Sequence, residues 1–139
     1  MKKILSFLAA ALLSVGIAAA QVSASDPKEA ANPQVDTSTQ VRQIEDKYES
    51  FHPSASKVEI ELEYTPLTGE VIVYYTCMGA SYDQGEAMNT IDAVLEDFAI
   101  ENQFTKKPTI VKKDRTRWYK DGRDIRMVNY RRWARYDVR

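Results

Sequence analysis

Residues 57–78 read KVEIELEYTPLTGEVIVYYTCM, two alternating runs on either side of a turn, and they make a β-hairpin. In the first arm Val58, Ile60, Leu62 and Tyr64 alternate with Glu59, Glu61 and Glu63, so one face is apolar and the other carries a row of carboxylates. Pro66-Leu67-Thr68-Gly69 supplies the turn. The second arm, residues 70–78, carries β-branched and aromatic residues on both sides, the pattern of a central or doubly covered strand. A four-residue loop sets Leu62 opposite Val73 and Ile60 opposite Tyr75, with Glu61 opposite Tyr74 on the reverse face.

Downstream, Gly79-Ala80 breaks the strand and Ser81-Tyr82-Asp83-Gln84 offers a capping box. Ala87, Met88, Ile91, Val94, Leu95, Phe98 and Asn102 then recur at three–four spacing, which predicts a helix over 82–102. Asp83 and Glu86 fall in its first turn, where acidic groups favour the helix dipole. The last stretch reads TIVKKDRTRWYK, then Asp121-Gly122, then RDIRMVNYRRWARYDV. Asp-Gly between two strand-like runs predicts a hairpin with a two-residue turn. That turn would set Trp118 opposite Ile125, Thr116 opposite Met127 and Ile110 opposite Trp133 on a core face. Lys113, Arg115, Arg117, Arg126, Val128, Tyr130 and Arg132 would then share the other face.

Upstream, Thr37-Ser38-Thr39-Gln40 fits a capping box, and Val41, Ile44, Tyr48 and Phe51 recur at helical spacing. A helix is therefore expected over 38–50, ended by His52-Pro53 because the residue before proline is pushed out of helical geometry. The order becomes helix, hairpin, helix, hairpin. It predicts an α+β fold, a two-layer αββαββ domain over residues 37–139, with a four-stranded antiparallel sheet and both helices on one face.

The first residues have a different character. Lys2 and Lys3 precede an apolar run over 4–20, and Val22-Ser23-Ala24 follows as a small-residue cleavage signal. Residues 1–24 read as a secretory signal peptide, and residues 25–36, with two prolines, as a flexible leader. The expected address is a bacterial periplasm or the medium, without a membrane span in the mature form.

The 139 residues are 44% apolar and 28% charged, with one Cys and one His. That composition fits one globular domain and excludes a disulfide scaffold or a Cys-based structural zinc site. Cys77 reads as a buried thiol acting as a small hydrophobe, and His52 alone is too little to argue a Cys–His mechanism. No nucleophile elbow, phosphate loop, dinucleotide fingerprint or His-rich metal motif occurs, so no cofactor or metal is expected.

Charge is the main functional clue. Residues 25–105 hold 4 basic and 16 acidic side chains, and residues 106–139 hold 13 basic and 4 acidic. Such asymmetry between segments points to an interaction surface. The plain alternative is that the Glu row and the Arg rows share one open face and satisfy each other as cross-strand ion pairs.

The functional reading is a non-enzymatic binding module that engages a protein or an anionic envelope component. The expected binding residues are Arg115, Arg117, Arg126, Tyr130 and Arg132, with Tyr74 and Glu61 as their counterpart. Nucleic acid is disfavoured, because the acidic remainder would repel a phosphate backbone. Two other readings are a hydrolase using Glu59, Glu61 and Glu63 and a homo-oligomer built through complementary faces.

Overall fold

The structure, a computed structural model, describes residues 38–138. The expected signal peptide and leader lie outside them. The element order is β1 (Gln40–Ile44), β2 (Glu59–Thr65), β3 (Glu70–Met78), α1 (Gln84–Glu101), β4 (Thr109–Lys120) and β5 (Arg126–Arg135). The five strands form one antiparallel sheet in the order β1-β2-β3-β5-β4, and α1 packs on one face. The fold is α+β, with five strands and one α-helix rather than four strands and two helices.

The β2–β3 hairpin has the expected register: Leu62 faces Val73, Ile60 faces Tyr75 and Glu61 faces Tyr74. Its turn depends on Gly69, whose φ is +74°. A Cβ there would sit 2.3 Å from the Tyr136 carbonyl oxygen, so only glycine fits. The two-sided apolar strand β3 is central, and its Val71, Val73, Tyr75 and Cys77 are fully buried under α1.

Helix α1 starts at Gln84, because Asp83, not Ser81, is its N-cap; the Asp83 carboxylate accepts the Glu86 N–H at 2.9 Å. Ser81 instead closes a 3-10 turn over Gly79–Ser81. Ala87, Thr90, Ile91, Val94, Leu95 and Phe98 are the buried stripe. Phe98 and Phe104 pack with Tyr136, whose hydroxyl donates to the Leu95 carbonyl at 2.6 Å.

The segment expected as a helix over 38–50 is strand β1 followed by a 3-10 turn, Glu49–Phe51. The apolar stripe was ambiguous over so short a run, and the free edge of β2 offers a backbone ladder that a helix would leave unpaired. Tyr48 reaches the core, whereas Val41 and Phe51 stay exposed.

The β4–β5 hairpin also departs from expectation. Asp121-Gly122 is not a two-residue turn: the loop runs over residues 121–125, and the Asp121 carboxylate accepts from the Arg123 and Ile125 N–H groups. The positive φ falls on Asp124. Trp118 therefore pairs with Val128 and Thr116 with Tyr130. An odd shift inverts the faces of β5 relative to expectation. Val128, Tyr130, Arg132 and Ala134 turn toward the helix side and are buried, while Met127, Asn129, Arg131 and Trp133 turn to the open face. Near the Thr109 end, Ile110 pairs with Ala134 rather than Trp133, and two register shifts follow it.

Candidate functional site

The ladders place the open face on a grid. One row across the sheet runs Gln43, Glu61, Tyr74, Arg131, Arg115; its neighbours run Glu59, Thr76, Asn129, Arg117 and Val41, Glu63, Ile72, Trp133, Lys112. Read by column, β2 is acidic, β3 is uncharged over 72–78, and β5 with β4 is basic. The uncharged column holds the acidic and basic sides apart by two strand spacings, about 10 Å at the backbone.

That spacing decides between internal pairing and a displayed surface. Among the described residues, the ion pair on this face is Glu70 with Arg135 at 2.6 Å. Glu59, Glu61, Glu63, Arg115, Arg117 and Arg131 form none within 4.0 Å. Arg115 even stands directly across from Arg131, a repulsive juxtaposition that the fold alone does not require.

Neutral groups hold the acidic side instead. The Gln43 amide donates to Glu61 Oε2 at 2.6 Å, and the Tyr74 hydroxyl reaches Glu63 Oε2 at 3.4 Å. Burial and the Glu63 carboxylate push the Tyr74 phenol up, with Arg131 pulling the other way. Asn129 donates to Thr76 Oγ1 at 2.8 Å. On the basic side the Lys112 ammonium lies 4.4 Å from the centroid of the Trp133 ring. A shallow trough of about 420 Å³ crosses the face, lined by Gln43, Glu59, Glu61, Tyr74, Thr76, Arg117, Tyr119 and Asn129. It offers carboxylates at one wall and a guanidinium and a phenol at the other.

Of the residues singled out from sequence, Glu61, Tyr74, Arg115 and Arg117 stand together on this open face. Arg126, Tyr130 and Arg132 do not, because the longer loop turns them to the helix side. Arg126 stacks on Trp118, 4.4 Å from the ring centroid. Arg132 is 8% exposed and sits between two carboxylates, donating to Asp114 at 2.8 Å and to Asp92 of α1. The Tyr130 hydroxyl donates to the same Asp114.

Burial works to raise the Asp114 pKa, yet hydrogen bonds from Arg132 and Tyr130 hold it below the usual carboxylate range. In return the Asp114 hydrogen bond raises the Arg132 pKa. This is an internal network that ties β4, β5 and α1 together. Arg131, which the sequence reading missed, takes its place on the open face. The missed signal was the alternation Val128, Tyr130, Ala134, Tyr136, which marks the even positions as the core side.

Cys77 is fully buried, and burial pushes its thiol up, so it serves the core as a small apolar group. His52 is buried too, with Nε2 2.9 Å from Asp46 Oδ1 and its ring edge-on to Tyr75. Among the described residues no three His, Cys, Asp or Glu side chains converge as metal ligands, and no helix is long and apolar enough to cross a membrane. No protein-family model, curated protein or solved structure matches the chain.

Proposed function

We propose that the chain is an exported binding module, released from residues 1–24 by signal cleavage, that engages a macromolecule of the envelope or medium through the open sheet face. The observation that carries this reading is the set of unpaired charges: three carboxylates and three guanidiniums stand on one face without an ion pair to each other. The charges are sorted by sign around Tyr74, Ile72 and Trp133, aromatic and apolar groups of the kind that interfaces enrich. The residues assigned to binding are Arg115, Arg117 and Arg131, with Tyr74 and Glu61. The partner chemistry that fits is a protein, or an anionic envelope component for the basic side.

The test is a cross-linked pull-down from envelope extract with the mature protein, eluted with a salt gradient, beside the triple variant Arg115→Glu, Arg117→Glu, Arg131→Glu. A discrete partner released by salt and lost in the variant, with the thermal transition unchanged, supports the reading. Unfolding of the variant would make the strip structural and overturn it.

A further inference from the structure

We infer that the partner this open face fits is the same face of a second copy, an inference that rests on the open face being an interaction surface. Symmetry decides which orientation fits. Two sheets stacked face to face are related by a two-fold axis lying in the plane between them. If the axis runs along β3, it exchanges left and right while keeping every row. Each β2 then lies over the β5 of the other copy: Glu61 comes over Arg131, Glu59 over Asn129 and Glu63 over Trp133, and Tyr74 meets Tyr74 on the axis. If the axis ran across the strands, Glu would face Glu and Arg would face Arg. The ladder registers thus bring two equivalent Glu61–Arg131 contacts together beside the axis in one orientation, and set Glu61 on Glu61 and Arg131 on Arg131 in the other.

The dimensions agree. Stacked sheets sit about 10 Å apart, within reach of a Glu and an Arg extending toward each other. Aligned sheets twist by about 30° relative to one another, so the pairing holds best near the axis, where Glu61 and Arg131 flank Tyr74. Five strand spacings by about nine residues give a face of roughly 24 by 31 Å, on the order of 700 Å², close to the area each partner buries in a standard interface. Stacking would also cover Ile72 and Trp133, which this face leaves only half-buried.

The experiment is sedimentation velocity on mature wild type, Glu61→Arg and Arg131→Glu, each alone and then the two variants mixed in equal amounts. Wild type should form a dimer that weakens at least tenfold in affinity between 50 and 500 mM salt, as expected of screened charge contacts. Each variant alone places like charges across both equivalent contacts and should stay monomeric. In the mixture the introduced arginine lies over the introduced glutamate, the native pair faces itself at the other contact, and the dimer should return.

Circular dichroism melts establish that each variant is folded. Should one unfold, a Tyr74→Cys, Cys77→Ala protein tested with a short bis-maleimide replaces it: rapid linking of copy to copy at position 74 is expected, and none for Glu96→Cys, Cys77→Ala on the helix side. A monomeric wild type at millimolar concentration, or folded variants that fail to recombine, overturns self-pairing. A foreign partner captured through Arg115, Arg117 and Arg131 by such a monomer would leave the open-face reading standing and remove only this inference.

Discussion

Arg131 and Arg132 are consecutive residues of β5 that point to opposite faces of the sheet, one without an ion pair beside Tyr74 and the other clamped between Asp114 and Asp92. The alternation of a strand separates two guanidiniums that composition cannot tell apart. It also divides the basic segment into a structural part and a displayed part, and the two should respond differently to the same substitution.

Replacing Arg132 or its partner should cost stability. Asp114→Asn takes the negative charge and one of the two acceptor oxygens away from the buried guanidinium and the Tyr130 hydroxyl, and should destabilise the fold by about 3 kcal/mol at pH 7. Arg131→Glu, on the open face, should change stability by less than about 1 kcal/mol. Urea unfolding of the two variants beside wild type checks the contrast, and equal losses would refute it.

The same carboxylate sets an acid response. Asp114 titrates lower in the folded chain than in the unfolded one, because hydrogen bonds from Arg132 and Tyr130 outweigh its burial. Its stabilisation is therefore complete above the unfolded value near 4 and is lost as pH falls through the folded value. Wild type should weaken from about pH 4 downward, while Asp114→Asn lacks that part of the slope. Stability curves measured from pH 7 to pH 2.5 should converge at the acid end; parallel curves would show that Asp114 does not titrate differently on folding.

The two turn glycines should behave unequally. Gly69→Ala forces a left-handed backbone on alanine and drives its Cβ against the Tyr136 carbonyl, for a loss of about 2–4 kcal/mol. Gly122→Ala meets no atom within 4 Å and no positive φ, and should stay within about 0.5 kcal/mol of wild type. Paired denaturant titrations decide it.

Cys77 should be silent in the native state. Burial both excludes reagent and raises the thiol pKa, so labelling by a disulfide reagent should proceed only as fast as the chain opens. Full modification within seconds at neutral pH, without denaturant, would contradict the buried assignment.

The β2–β3 hairpin was legible because period and turn length agree there, and α1 because its three–four spacing is long and unbroken, although Asp83 rather than Ser81 caps it. Strand β1 was not, since Val41, Ile44, Tyr48 and Phe51 satisfy a helical spacing and only the exposed edge of β2, a long-range partner, decides for a strand. The C-terminal hairpin was half legible. Arg115 and Arg117 lie on the expected face, but the Asp121 carboxylate closes a longer loop than Asp-Gly suggests. An odd register shift then exchanges Tyr130 and Arg132 for Arg131. Trp118 and Ile110 lie on the expected side yet are exposed, because α1 packs mainly over β3 and leaves them uncovered.

The two tryptophans sit on opposite faces, Trp133 on the open one and Trp118 on the helix side, and they allow the central claim to be measured directly. Trp118→Phe leaves Trp133 as the reporter of the open face, and Trp133→Phe leaves Trp118 as the reporter of the other. Emission and acrylamide quenching would be followed as protein concentration rises and as envelope extract is added. The account predicts a blue shift and protection of Trp133 under one of these conditions, with Trp118 unchanged; a response confined to Trp118 would place the interaction on the helix side and contradict it.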